Sequence, residues 1–328
     1  MKSKATCFVV LCLLHSTTAF GQVAEGNASF DTVATAIPGV IAAGTKIQFI
    51  QEGFRSTEGP IALPDNSLVF TETAADRLIR IDQDGNRSRW LFNTGGANGL
   101  AFDSKGRLIA VQTIPGKTGI AVIYPEESRA VLTDNFDGKP YGRPNDLVVD
   151  KKGGVYFTDP GPNIQPGTTP PPPPLPAAVY YVPSGGKAMQ VTADITRPNG
   201  IQLSPDERIL YVNDSRGEYL IAFDIQPDGT LRNKRNFGKY VGVQRTPEGI
   251  TSGADGLAVD GEGRVYTTSN AGLDVFSPQG QHLGTIPVSK RPQNLAFSGP
   301  DKKTLYIVGR GAAYKVQMLA QGHMGRVK

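Results

Sequence analysis

Hydrophobic and polar positions follow one pattern in six stretches of the chain, most clearly in Arg143–Pro160. This stretch begins with a polar position, Asn145, and continues with apolar residues in alternation, Leu147 and Val149. A turn with a glycine follows at residues 150–153, and a β-rich run comes directly after it. Period-two alternation, a turn and a second β-rich run predict a hairpin of two strands.

The same pattern begins at five further positions: Glu58, Asn98, Asn199, Asp255 and Asn294. With Asn145 included, the start-to-start spacings are 40, 47, 54, 56 and 39 residues. A repeat of roughly 40–50 residues built from strands and turns is typical of a β-propeller. Each unit has room for two more strands after its hairpin, which makes a four-stranded blade. The sequence therefore predicts an all-β fold, a six-bladed β-propeller.

The two ends of the repeat region are expected to meet. Lys46–Phe54 alternates like a strand, and we expect it to complete the last blade beside Ala312–Met318, which removes an exposed sheet edge. The propeller then spans residues 44–318. We expect the extension at residues 22–43 to pack loosely and the tail at residues 319–328 to fray.

The first 21 residues have the composition of a secretory signal peptide. Lys2 and Lys4 precede the apolar stretch Ala5–Leu14, and small residues allow cleavage after Ala19 or Gly21. Ten residues are too few for a membrane span, which needs about 18–20. We therefore expect a secreted or periplasmic protein that has no membrane contact after cleavage.

Composition narrows the chemistry further. Of the 328 residues, 39 are glycine and 25 proline, which suits a turn-rich β domain. Both cysteines, Cys7 and Cys12, lie in the signal segment, so the mature chain has no disulfide and no thiolate metal site. The net charge is only +4 and no run of basic residues occurs, which argues against nucleic acid as a partner.

The polar residue that opens each unit is the candidate for function. Asn-Gly and Asp-Gly are also strong turn dipeptides, so each one alone favours a turn. Their shared position in six units instead favours a ring of oxygens at the axis. Glu58 and Asp255 would neutralise a divalent cation, and Asn145 and Asn199 would add neutral oxygens. This set suits Ca²⁺ best, with Mg²⁺, Mn²⁺ or Zn²⁺ as alternatives.

Four motifs in order resemble the gluconolactonase family, which includes regucalcin. They are TEGP at 57–60, RPND at 143–146, RPNG at 197–200 and ADGLAVD at 254–260. The resemblance extends over all six units, from Phe54 to Met318. It implies a six-bladed propeller with one axial divalent metal and, in many members, hydrolysis of sugar lactones.

The resemblance also implies roles for individual residues. Glu58, Asn199 and Asp255 match the family's metal ligands, and Asn145 lies in or beside that shell. Arg143 and Asn145 match substrate contacts, and Asp255 matches the proposed proton donor and acceptor. Related bacterial lactonases often carry a Cys-Glu-His stretch where this chain has Val111–Gly119, so the substrate itself is left open.

These observations predict a metal-dependent hydrolase of sugar lactones, with Asp255 as general base. Alternatives are hydrolysis of other esters or organophosphates on the same metal, and a carbohydrate-binding propeller with a structural metal. The mature chain keeps only His282 and His323, in an outer turn and in the tail, so a Ser-His-Asp triad has no histidine at the axis. No GxSxG or HExxH motif is present.

One segment interrupts the repeat, the proline-rich stretch Pro160–Pro176. Proline fixes φ and lacks a backbone donor, so this is not a central strand, and Pro170–Pro174 is predicted as polyproline II. The second strand of the third unit returns to the end of the propeller where Asn145 lies, so the segment starts beside the polar ring. A stiff rim there would limit substrate size; a solvated linker is the alternative.

Replacing Pro170–Pro174 by a short Gly-Ser loop tests this rim. We expect folding and metal affinity to stay unchanged, because no predicted ligand is altered. The ratio of kcat/KM for small and bulky lactones should change, because a flexible loop no longer restricts entry. An identical ratio in both proteins would identify the segment as a linker.

Overall fold

Six antiparallel sheets follow one another along the chain in the computed structural model, which describes residues 30–162, 175–247 and 249–325. Each sheet has four strands, and the last is extended by a short fifth strand. They are arranged as the blades of a six-bladed β-propeller, so the predicted fold is confirmed. No helix within the described residues is long and apolar enough to cross a membrane.

The first half of the chain forms two short leading strands and three blades. The leading strands are β1 (Thr32–Val33) and β2 (Lys46–Glu52). Blade 1 comprises β3 (Thr57–Ala62), β4 (Leu68–Glu72), β5 (Arg77–Ile81) and β6 (Arg87–Phe92). Blade 2 comprises β7 (Leu100–Phe102), β8 (Leu108–Gln112), β9 (Gly119–Tyr124) and β10 (Ala130–Thr133). After the hairpin of β11 (Asn135–Phe136) and β12 (Lys139–Pro140), blade 3 comprises β13 (Leu147–Val149), β14 (Val155–Asp159), β15 (Ala178–Val182) and β16 (Met189–Thr192).

The second half forms three more blades and a second hairpin. Blade 4 comprises β17 (Pro198–Leu203), β18 (Ile209–Asp214), β19 (Tyr219–Ile225) and β20 (Leu231–Lys239). The hairpin strands are β21 (Gln244–Thr246) and β22 (Gly249–Thr251). Blade 5 comprises β23 (Leu257–Val259), β24 (Val265–Ser269), β25 (Gly272–Phe276) and β26 (His282–Ile286), and blade 6 has β27 (Asn294–Ser298), β28 (Thr304–Gly309) and β29 (Ala312–Gln317). The described helices are two 3₁₀ turns, Thr73–Ala75 and Glu126–Ser128.

Successive side chains of an inner strand point alternately toward the two neighbouring blades, so neither set faces the solvent. Leu147 and Val149 join the apolar cluster shared with blade 2, whereas Val148 joins the cluster shared with blade 4. Six such clusters fill the six spaces between adjacent blades. Because both faces of a blade are covered, the inner strands are almost entirely buried, and exposed residues concentrate on outermost strands such as β6.

The N-terminal strand closes the ring as predicted. β2 pairs antiparallel with β29, with Gln48 opposite Lys315. The flanking segments differ from expectation, because both are packed. Ile37 and Val40 are buried in the cluster between blades 5 and 6, and the Val40 carbonyl accepts hydrogen bonds from the N–H groups of Leu319 and Ala320. The predictions of a loose extension and a frayed tail are therefore wrong for the described parts, residues 30–43 and 319–325.

The proline-rich segment leaves β14 at the end of the propeller where Asn145 lies. Pro160 lines the same cavity as Asn145, and Leu175 is buried between blades 2 and 3 where the segment returns. Pro170–Pro174, with its predicted polyproline II conformation, and the predicted signal peptide at residues 1–21 lie outside the described residues.

The glycine that follows most opening polar residues is required by space and does not form a turn. A Cβ on Gly59 would lie 2.0 Å from the Asn98 carbonyl oxygen, and a Cβ on Gly200 would lie 2.1 Å from that of Asp255. The Gly200 N–H donates to that same Asp255 oxygen at 2.8 Å. Gly59 has a positive φ of +46°, as turn glycines such as Gly85 do at +87°, whereas Gly200 does not. Adjacent blades therefore touch through their backbones at the axis.

We expect Gly200→Ala to destabilise the protein by about 1–3 kcal/mol, since the new methyl group must push two blades apart. Gly261→Ala is the matched control, because its Cβ would lie 3.5 Å from the nearest atom, an ordinary contact. Thermal unfolding of both variants measures the difference. Equal midpoints would mean that the axis accommodates a methyl group and that the close approach is not a constraint.

Candidate active site at the propeller axis

A polar cavity of about 170 Å³ lies at the axis where the inner strands begin. The predicted site residues all line it: Glu58, Arg143, Asn145, Asn199 and Asp255. Asn98, which opens the second unit of the repeat, lines it as well. The structure thus brings together residues that are up to 197 positions apart in the chain.

The sixth position of the ring is Gln293, one residue before the position that the repeat suggests. Strand pairing shows that Leu295 of blade 6 corresponds to Leu147 of blade 3. Leu147 pairs with Phe157 and the Asn145 N–H donates to the next residue, Thr158, just as Leu295 pairs with Ile307 and the Gln293 N–H donates to Val308. Leu257 holds the same place in blade 5, where it pairs with Thr267. Counting back two residues gives Asn145, Asp255 and Gln293. Asn294 is buried beneath the cavity and does not line it. Asn294 instead supports the cavity from behind, since its side-chain amide donates a hydrogen bond to Glu58 at 3.3 Å.

Backbone contacts between blades fix the direction of each ring residue. The Asp255 carbonyl accepts from the Gly200 N–H at 2.8 Å and from the Asn213 side-chain amide at 2.7 Å. The Asn199 carbonyl accepts from the Thr158 hydroxyl at 2.6 Å. With its carbonyl held by the preceding blade, each residue directs its side chain toward the cavity.

In blades 3 and 4, an aspartate at the end of the second strand positions one arginine of the cavity. Asp159 accepts hydrogen bonds from the backbone N–H groups of Gly142 and Arg143, at 2.7 and 2.8 Å. Asp214 holds Arg197 in the same way, at 3.0 Å. The two Arg-Pro-Asn motifs are therefore held by equivalent contacts in blades 3 and 4, and both arginines line the cavity.

The carboxylates at the axis repel one another. Burial and the negative charges of Asp255 and Asp146 raise the pKa of Glu58 well above its usual value. Burial and the charge of Asp146 likewise raise the pKa of Asp255, against the opposing effects of Arg310 and Arg143. Glu58 accepts hydrogen bonds from the Gln293 and Asn294 side chains at 3.1 and 3.3 Å. These neutral donors orient the carboxylate but supply no positive charge.

Two amide oxygens in the cavity lack a partner among the described residues. Asn98 Oδ1 and Asn199 Oδ1 are buried without a hydrogen bond. Asn199 also forms a side-chain hydrogen bond with Asp255, which lowers the pKa of that carboxyl group. A buried oxygen without a partner is costly, so the cavity presents acceptors that require a donor or a cation.

The donor set at the axis mixes carboxylates and amides. Within residues 30–162, 175–247 and 249–325, no group of three or more His, Cys, Asp or Glu side chains is placed to hold a metal ion. Glu58 and Asp255 provide two negative charges, and Asn98, Asn145 and Asn199 provide neutral oxygens. Such an all-oxygen set fits a hard cation such as Ca²⁺ or Mg²⁺ and does not favour a thiolate- or imidazole-binding metal.

Positive charge also concentrates at this cavity. Burial and the like charges of Arg143 and Arg216 lower the pKa of Arg197, and only the charge of Asp255 opposes them. Arg197 is absent from the residues predicted from sequence, although its Arg-Pro-Asn-Gly motif repeats the Arg-Pro-Asn-Asp motif of Arg143. The same comparison with Arg291-Pro-Gln-Asn would have identified Gln293. Asp146, a third acidic residue at the axis, follows Asn145 directly and was also missed.

Residues 56–310 match the family described as SMP-30/gluconolactonase/LRE-like region. The match extends from blade 1 to the second strand of the hairpin in blade 6, β28. The chain belongs to this family.

One curated protein and two solved structures illustrate what this chain is similar to. A gluconolactonase of Zymomonas mobilis is 26% identical over 318 residues, covering 88% of each chain. The solved gluconolactonase XC5397 of Xanthomonas campestris is 26% identical, covers 88% of this chain and 94% of its own, and superposes with a TM-score of 0.73. The calcium-binding protein regucalcin of Agrobacterium tumefaciens shares the fold at 19% identity, covering 84% of this chain and 94% of its own, with a TM-score of 0.68.

Proposed function

We propose that this protein hydrolyses sugar lactones in the axial cavity with the help of one bound divalent cation, Ca²⁺ in the first instance. The observation that carries the proposal is the pair of buried carboxylates, Glu58 and Asp255, that share the axial cavity with the amide oxygens of Asn98 and Asn199, which have no hydrogen-bond partner in the described protein. Family membership and the gluconolactonases of Z. mobilis and X. campestris support a lactone as substrate.

The cation would be held by Glu58, Asn199 and Asp255, with Asn145 and Asn98 at hand in the same cavity. A bound cation of this kind polarises a carbonyl group and lowers the pKa of water. Binding a positive ion also removes the repulsion that raises the pKa values of the two carboxyl groups. The residues therefore fit the group that the family implies.

The chain's own residues would perform three tasks in the reaction. Asp255 accepts the proton of the attacking water. It reaches the cavity, and burial and the charge of Asp146 raise its pKa to about 7, against the opposing charges of Arg310 and Arg143, which suits a base near neutral pH. Arg143 and Asn145 donate hydrogen bonds to the hydroxyl groups of the sugar and fix its orientation. Pro160, at the edge of the cavity, restricts the space on one side. Ring opening then releases the free acid.

Two alternatives from sequence use the same geometry. Other esters or organophosphates would also present a polarised oxygen to a cation, and a binding protein would keep the metal without turnover. The paired cavity acid and arginine, Asp255 and Arg143, favour an enzyme, because a structural metal site does not require a base beside an open space.

The direct test is hydrolysis of a panel of aldonolactones before and after a chelator removes the metal, and after Ca²⁺ is restored. We expect activity to disappear and return.

Glu58→Gln, measured in parallel by calorimetric titration with Ca²⁺, should bind the ion at least tenfold more weakly, because it loses one of two neutralising charges. Full activity in chelator, or unchanged calcium affinity in the variant, would rule out the metal site. Metal binding without turnover of any lactone would identify a binding protein.

The variant Asp255→Asn distinguishes the role of Asp255 as general base from its role as a ligand of the cation. At saturating cation we expect a loss of about 10²–10⁴-fold in kcat, the usual effect of removing a general base. Glu58→Gln is the matched control, since it also replaces a carboxylate by an amide of the same shape. Saturating cation should restore much of the activity of Glu58→Gln and little of that of Asp255→Asn. Equal recovery in both variants would make Asp255 a ligand only.

A further inference from the structure

A second cavity, of about 340 Å³, adjoins the axial cavity and shares Arg197, Asn199 and Asp255 with it. It extends outward between the loop at Ser215–Arg216 and the hairpin of β21 and β22. Its volume falls in the range of about 300–1,000 Å³ that is typical of small-molecule sites. A substrate held at the axis can therefore extend into this space.

Three arginines line this second cavity: Arg197, Arg216 and Arg291. Asp255, at the end shared with the axis, is the one carboxylate among its described lining residues. No ion pair or side-chain hydrogen bond engages Arg216 or Arg291 within the described part of the chain. By contrast, Arg245 of β21 forms an ion pair with Glu218.

The three arginines line one cavity, and two of them, Arg197 and Arg216, are close enough to repel each other. Arg197 is half-buried and experiences the positive charges of both Arg143 and Arg216. Like charges held together in a partly enclosed space repel each other more strongly than they do in open water. Guanidinium groups match the two oxygens of a carboxylate or phosphate with paired hydrogen bonds, so a bound anion relieves this repulsion.

We propose that the second cavity binds an anionic substituent of the substrate, a carboxylate or a phosphate, while the lactone ring occupies the axial cavity. The inference rests on the proposed lactone hydrolysis and narrows its substrate class. The preferred substrates are lactones of sugars that carry a second acidic group, in place of neutral aldonolactones.

Three lactones that differ at one end test the proposal: glucono-1,5-lactone, its 6-phosphate and a lactone of glucaric acid. In the wild-type protein we expect kcat/KM for at least one charged lactone to exceed that for the neutral one by about tenfold. Arg216→Gln and Arg291→Gln should each reduce that value by about tenfold, the effect of losing one charge-assisted hydrogen bond. Hydrolysis of the neutral lactone should change less than twofold. The charged lactone whose kcat/KM falls in these variants shows whether the cavity binds a phosphate or a carboxylate.

Arg245→Gln is the matched control. Arg245 lies on the hairpin that borders the cavity, but its side chain is paired with Glu218 and does not line the cavity. It should leave all three values unchanged. If Arg216→Gln and Arg291→Gln affect charged and neutral lactones equally, or affect none, the anion site is refuted while lactone hydrolysis stands.

A binding measurement keeps the two proposals separate. If no lactone is hydrolysed, the proposed function fails, and calorimetric titration with the open-chain acids 6-phosphogluconate and glucarate decides the anion site alone. Binding by the wild-type and Arg245→Gln proteins, with at least tenfold weaker binding by the other two variants, supports it. No binding to the wild-type protein, or equal binding to all four, overturns it.

Discussion

The close approach of the inner strands at the axis is the constraint on which the rest of the structure depends. Neighbouring backbones come so near that no Cβ fits at Gly59 or Gly200, and hydrogen bonds such as that from Gly200 to the Asp255 carbonyl cross from blade to blade. Since each carbonyl is thus engaged by the preceding blade, the side chain is left to face the axis. The fold therefore converts one polar residue per repeat into one wall of a shared cavity.

Repetition made most of the fold predictable from sequence. Spacing, alternation and turn glycines gave the blade count, the four strands per blade and the closing strand, because each depends on local pattern. What failed depended on tertiary contacts. The burial of Ile37 and Ala320 comes from a space between blades 5 and 6 that no short-range pattern reveals. The repeat was aligned on its asparagines, which put Asn294 in the ring. Strand pairing fixes the position of Leu295 instead, and this puts Gln293 in the ring, one residue earlier.

The sequence allowed most residues of the candidate site to be predicted, but it did not allow the interactions between their charges to be predicted. Glu58, Asn145, Asn199 and Asp255 could be chosen because their positions recur, but charge coupling depends on distances that the sequence does not contain. Asp146 shows this, since it influences both Glu58 and Asp255 although its own side chain accepts backbone hydrogen bonds. Arg197 and Arg216 similarly become one basic cluster only when the loops of blade 4 are in place. Negative charge thus concentrates on the axis, and positive charge concentrates beside it.

Ring closure has a consequence for Glu58. This residue belongs to blade 1, yet both side chains that hold its carboxylate, Gln293 and Asn294, belong to blade 6. Blade 6 is itself completed by β2 from the opposite end of the chain. An ion that bridges Glu58 and Asp255 would therefore bind the closed ring in preference to any opened form, and its binding free energy would add to the stability of the closed state. Such a cation would link blade 1 to blade 5, on the two sides of blade 6, and would so keep the last blade closed against the first.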